Sequence, residues 1–193
     1  MRVAGVRLYR HNREVRAFRG PSWMFLFRLR YYHPMSNTSP YRTLPASRRL
    51  VLVAHDITSS RESRDTYLRA MVARGGGFRP EKLRKWPADQ LAREVVRYNL
   101  ETPHDELRLM VILYVELEPE MQVSFLDALG VKHTNGSIPE DLEPPFADAT
   151  KIRAAAEGLM GKHGEDARRY LRTISIYNGE AWPGLADMTA DFG

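Results

Sequence analysis

A chain of 193 residues with 43% apolar and 27% charged side chains is ordinary for one globular domain with a real core. It contains no cysteine, which excludes disulfides, thiolate catalysis and cysteine-ligated zinc or iron–sulfur sites. The net charge of +5 hides an asymmetry: residues 1–100 carry 21 Lys and Arg against 7 Asp and Glu, and residues 101–193 carry 8 against 17.

A basic half can meet nucleic acid or an anionic surface, and can equally face the acidic half of its own chain or of a neighbour. No run approaches the ~18–20 apolar residues that cross a bilayer, so no membrane partner is expected. Trp23–Phe27 is too short for the apolar region of a secretion signal, and the expected location is the cytoplasm.

Residues 1–34 hold eight Arg, no Lys, one acid (Glu14) and seven aromatics. Partial alternation in Arg2–Arg10 and Trp23–Tyr32 suits a pair of strands. Arg interleaved with aromatics also suits single-stranded nucleic acid, because bases stack on rings and phosphates pair with guanidinium. The reading favoured by composition is a disordered extension, or a stretch upstream of a true start at Met35. Residues 35–48 are polar and proline-bearing and read as a linker. Residues 1–48 are thus expected to be an extension, and 49–193 a single helical domain.

Arg49–Ala54 is a short β-branched run that reads as a β element, with helix as the competing reading. Ser59-x-x-Glu62 reads as a capping box opening a helix over about 59–74, with Tyr67, Leu68, Met71 and Val72 on one face. Gly75-Gly76-Gly77 ends it; the Lys-Ser/Thr of a phosphate-binding loop is missing. Phe78–Trp86 reads as a short amphipathic turn, followed by a helix over 87–100 with Leu91, Val95 and Tyr98 inward. Its outline is too short and proline-rich for a helix-turn-helix DNA reader.

Thr102–Gly130 is the expected centre. Thr102 can cap a helix, Pro103 suits its first position, and Asp105 and Glu106 put negative charge on its positive end. Leu109–Val115 follows as seven apolar residues, and a helix apolar all round must be surrounded by protein. Pro119 breaks it and starts a second helix that Gly130 closes, giving a hairpin over 103–129. Lys132–Ala147 then reads as a long non-helical connection with an Asn135-Gly136 turn, three prolines and the apolar anchors Ile138, Leu142 and Phe146. Connections this long are often functional or wrapped on the surface. Asp148 caps a helix pair within 148–178, and Trp182 folds the chain end back onto the core. The fold class expected is mostly α, a compact multi-helix bundle around the central hairpin.

Several residues invite a chemical reading. His55-Asp56 would sit at the end of the β element, where α/β enzymes place catalytic groups. Glu116, Glu118 and Glu120 could converge at the hairpin bend and hold a hard cation. Glu101-x-x-His104 resembles half of a di-iron motif, but Pro103 interrupts it and no second copy exists. His133 and His163 stand alone in expected loops. Arg79, Lys82, Arg84, Lys85, Arg93 and Arg97 form the nucleic-acid candidate set outside the N-terminal segment. No nucleophile elbow, Walker loop or dinucleotide fingerprint is present, and no cofactor is implied. The leading expectation is a non-enzymatic helical protein that binds a protein partner or itself. Nucleic-acid binding through the basic half is the alternative, and a metal-assisted enzyme the second alternative.

The apolar run yields a direct test. Each buried Ile or Leu cut to Ala costs roughly 2–5 kcal/mol, against about 5–15 kcal/mol for a whole domain. Ile112→Ala with Leu113→Ala is expected to unfold or severely destabilise the protein, whereas deleting residues 1–34 leaves the thermal melt nearly unchanged. A deletion that collapses the fold beside a double alanine that melts like the parent would put the core elsewhere.

Overall fold

The structure is a computed structural model that describes residues 39–190. The expectations for residues 1–34 and for Met35 lie outside the described residues. The chain opens with a 3-10 turn, Pro40–Thr43. The helices are α1 (Ala46–Ser59), α2 (Arg61–Arg74), α3 (Pro80–Leu83), α4 (Ala88–Arg97), α5 (Pro103–Ile112), α6 (Glu120–Leu129), α7 (Ala149–His163), α8 (Glu165–Asn178) and α9 (Leu185–Thr189). A π-helical turn, Leu113–Leu117, continues α5, and a second 3-10 turn, Gly179–Ala181, precedes α9. The described residues form a mostly α bundle with no strand.

The central hairpin forms as its termini dictate. The Asp105 amide donates to the Thr102 hydroxyl oxygen at 3.2 Å, and the Thr102 amide donates back to the Asp105 carboxylate at 3.0 Å. Each bond satisfies an amide that a helix start leaves without an intrahelical partner. Leu109 through Tyr114 are all buried, so this segment is covered on every side. α1, α8 and the Pro40–Thr43 turn pack on α5, while α6 returns along the π turn. Gly130 ends α6 in the left-handed region at φ 69°, and the Val131 amide reaches back to the Leu126 carbonyl at 3.0 Å. Asp148 caps α7 by accepting from the Lys151 amide at 2.9 Å.

Three local expectations are corrected. The β element near 49–54 is instead the middle of α1. Leu52, Val53, Asp56 and Ile57 are buried while Val51 stays 60% exposed, a helical stripe rather than alternation. β propensity expresses packing between strands, and the described residues offer no strand to pair with. Burial against α4 and α5 therefore decides for helix. Ser60, not Ser59, caps α2, accepting from the Ser63 amide at 3.2 Å. Finally, the end of the stretch read as a linker packs into the core: Tyr41 and Leu44 are buried. The Tyr41 hydroxyl donates to Glu101 at 2.6 Å, and Arg42 pairs with Glu106 beside it.

A buried polar cluster fixes α1, α2 and α5 together. Asp56, 3% exposed, accepts from the Ser63 hydroxyl at 2.8 Å, the Tyr67 hydroxyl at 3.2 Å and Arg108 at 2.8 Å. Arg108 also reaches Asp105 at 3.0 Å and Ser63 at 2.9 Å. Removing one partner of a buried ion pair leaves the other charge uncompensated, at a cost of roughly 3–5 kcal/mol. The Arg108 side chain keeps 27% exposure, so water screens part of that cost. Arg108→Ala is therefore expected to lose about 3 kcal/mol, near the low end of that range, read as a fall in the urea unfolding midpoint. Combining Asp56→Asn with Arg108→Met should cost less than Arg108→Ala alone. A single variant as mild as a surface substitution would show that the cluster does not hold these helices.

Candidate functional site

A cleft of about 450 Å³ opens between α5 and its π turn, α6, α8 and the connection after α6. Its origin begins in the π turn. The Glu118 amide donates to the Leu113 carbonyl, five residues back, at 2.7 Å. This wider turn changes the order in which side chains leave the helix, and such turns occur frequently at functional sites. Tyr114 and Val115, both in that turn, line the cleft, as do Met110 and Val111 one turn earlier.

The connection after α6 is held as a roof. The Gln122 side-chain amide donates to the Gly136 carbonyl at 2.6 Å, and Thr134 and Ser137 exchange backbone hydrogen bonds at 2.9 Å each. Gly136 sits at φ 85°, and a Cβ there would touch the Gln122 side chain at 3.4 Å. Glycine suits both the left-handed backbone and the close approach. His133 accepts from the Gly136 amide at 3.1 Å and pairs with Asp127 at 3.0 Å. At the far end, the Phe146 ring lies 5.2 Å from the Trp182 ring, and its amide donates to the Ala181 carbonyl at 3.4 Å. Ile138 and Phe146 pack on the core, whereas Leu142 is 38% exposed.

The walls are apolar and aromatic. Tyr170 stands edge-on to Tyr114 at 5.2 Å and to Phe125 at 5.9 Å, and Phe125 stands edge-on to Trp182 at 5.5 Å. Leu126 and Ile174 complete the wall. Most internal donors are already used. Tyr114 donates to the Asp166 carbonyl at 3.2 Å, and Thr173 donates to the Arg169 carbonyl at 2.7 Å. Glu140 and Glu143 belong to the roof, and among the described residues no Lys, Arg or His lines the cleft. Burial raises the Tyr170 hydroxyl above its ordinary pKa, with a lesser contribution from Tyr114, so it stays protonated. With apolar walls and the carboxylates of Glu140 and Glu143 at the roof, the cleft has the form of a site that encloses and orients a molecule.

The sequence candidates fall elsewhere. Asp56 is absorbed by the structural cluster above, while its neighbour His55 leaves α1 in another direction and lies 3.2 Å from Glu116. Glu118 pairs with Arg48, which also reaches Asp166 at 3.0 Å, and Glu120 is exposed on the first turn of α6. Glu116 and Glu118 thus face different partners and Glu120 stands apart, and no cluster of three metal-ligating side chains occurs among the described residues. Glu101 is buried against Tyr41 and His104 is exposed, so that motif does not assemble. Arg79, Lys82, Arg84, Lys85, Arg93 and Arg97 are all exposed. Arg97 reaches Glu94 at 3.8 Å, and no ion pair holds the other five among the described residues.

The sequence does not show the cleft, although Ile138, Phe146 and Trp182 are each legible in it as apolar anchors. No protein-family model matches the chain, and neither does any curated protein or solved structure.

The His55–Glu116 pair is half-exposed, so its worth should be that of a surface pair, about 0.2–1 kcal/mol. His55→Ala is expected to shift the melting temperature by no more than a few degrees. A larger loss would mean that this pair is part of the fold's support.

Proposed function

We propose that this protein is a binding protein for a small, largely apolar molecule, which it encloses in the cleft beneath the connection after α6. The observation that carries the reading is the cleft itself: about 450 Å³, walled by α5, α6 and α8 and roofed by a stapled loop. Sites for small ligands span roughly 300–1,000 Å³ and are lined mainly by apolar and aromatic side chains with a few polar groups. A protein partner or self-association is the expectation for which the charge asymmetry and the long proline-bearing connection offer surfaces. Ile138 and Phe146 turn inward, however, so the connection encloses a volume more than it offers a flat docking face.

Ile174 lines the cleft and is only partly buried, so a larger side chain there can fill the space with little strain on the core. The neutral fluorophore N-phenyl-1-naphthylamine is expected to bind saturably, one per chain. Ile174→Trp should weaken that binding about tenfold or more, a loss of roughly 1.4 kcal/mol or more, without lowering the melting temperature. No saturable binding, or binding that Ile174→Trp leaves intact, would overturn the reading.

A second reading is supported by a different observation. Arg79, Lys82, Arg84, Lys85 and Arg93 are exposed and carry no ion pair among the described residues, as a surface for a polyanion requires. Filter binding of single-stranded and duplex DNA and RNA across a salt series tests it. Each phosphate contact should contribute a slope of about −0.7 to −0.9 in log affinity against log salt. Charge reversal at Lys82, Arg84 and Lys85 should flatten that slope. Absent or salt-insensitive binding would remove nucleic acid from consideration.

A further inference from the structure

We propose that the molecule held in the cleft is a cationic amphiphile, an apolar body bearing one ammonium group. The body lies among the aromatic walls, and the head stands beside Glu140 and Glu143 at the solvent edge of the roof. The proposal rests on the reading of the cleft as the working site and names the charge of what it takes.

The charge of the lining has one sign. Among the described residues, Glu140 and Glu143 are its ionised side chains, whereas Gln122, Thr173 and Asn178 are polar but neutral. Both glutamates are exposed, and neither makes an ion pair or a side-chain hydrogen bond among the described residues. Their surroundings carry the same sign. The connection over residues 132–147 also contains Asp141, against Lys132 as its one Lys or Arg. Every lining residue belongs to residues 101–193, which carry 8 Lys and Arg against 17 Asp and Glu. The cations of α8 are engaged elsewhere. Arg168 reaches Glu165 at 3.1 Å, Arg169 reaches Asp166 at 2.7 Å, and Arg172 donates to the Thr189 carbonyl.

The walls favour the same kind of ligand. Tyr114, Phe146, Tyr170, Tyr177 and Trp182 line the cleft, and the faces of aromatic rings attract a cation. A carboxylate head would meet two like charges and, among the described lining residues, no cation to compensate it. Burial then places the head. An ammonium drawn into the apolar interior would lose its water with nothing to replace it. Beside exposed glutamates it keeps water on one side, while the body lies against Met110, Leu126 and Ile174. Exposed carboxylates each act weakly, so charge sets the preference among ligands and apolar burial supplies most of the affinity.

The test uses the full chain at neutral pH and three probes that share a diphenylmethyl body and differ in its one polar group. Benzhydrylamine is cationic, benzhydrol is neutral and diphenylacetate is anionic. Each is titrated against bound N-phenyl-1-naphthylamine. Benzhydrylamine should displace the fluorophore about threefold to tenfold more tightly than benzhydrol, the range of one or two exposed ion pairs. Diphenylacetate should be the weakest of the three. The advantage of the amine over the alcohol should shrink as salt rises, because exposed charges are screened. In Glu140→Gln with Glu143→Gln the same advantage should shrink towards none. Comparing amine with alcohol inside one protein cancels any change the substitutions make to the cleft as a whole. The inference is overturned if benzhydrol or diphenylacetate binds as tightly as the amine, or if the amine keeps its full advantage in high salt or in the double variant. In each of those cases saturable fluorophore binding leaves the cleft reading standing; without such binding the cleft reading itself falls, and this inference with it.

Discussion

The burial of one apolar helix organises this fold. Leu109 to Tyr114 present apolar surface in every direction, and every direction has to be covered. α1 and the Pro40–Thr43 turn close one side, α8 another, and α6 returns along the π turn. This is a demand for partners more than a specification of them, since apolar surface is satisfied by any apolar surface of suitable shape. Specificity comes from the polar end of the same helix. Glu101, Asp105 and Glu106 are buried around its first turn, and each has its own partner: Tyr41 on Glu101, Arg42 on Glu106, and Arg108 between Asp105 and Asp56. An unpaired carboxylate there would be costly, so only the register that supplies these partners is compatible with burial. The same economy keeps Asp56 and Glu101 buried and partnered.

What could be read from the sequence was what chemistry decides within a few residues. The Thr102 cap, the Gly130 terminator and the Asp148 cap each depend on a local amide or a single φ angle, and their helices begin and end where those signals stand. Arg49–Ala54 failed for the opposite reason. A short β-branched run is compatible with two backbones, and the choice was made by α4 and α5, which begin only at Ala88 and Pro103. Ser59 and Ser60 show the limit at the smallest scale. Both can cap, and which one does depends on where α1 stops, itself a consequence of burying Asp56 and Ile57.

The cleft was illegible for a related reason. A π turn has no sequence signature, because Leu113–Leu117 would propagate an ordinary helix equally well. The contacts that staple the roof, Gln122 on Gly136 and Phe146 on Trp182, join positions that local pattern does not couple. The apolar residues were visible singly; their convergence was not. Tyr170 and Ile174 share the face of α8 that lines the cleft, but an apolar stripe says only that something covers it.

A cleft in this place also follows from the packing. A helix apolar on all faces needs neighbours on all faces, and the available helices are straight cylinders with gaps between them. α7 packs on α6 and α8 and leaves the face of Val111 and Ile174 to an irregular segment. A proline-bearing connection cannot fill such a gap with regular side-chain layers, because it carries few apolar anchors and must keep its own backbone near water. Ile138 and Phe146 plug its two ends and leave the middle open. Complete filling would have been a simple matter of larger side chains at Val111 or Ile174. The fold instead keeps the space, walled by aromatic rings and bordered by the polar groups of Gln122, Glu140, Glu143 and Asn178.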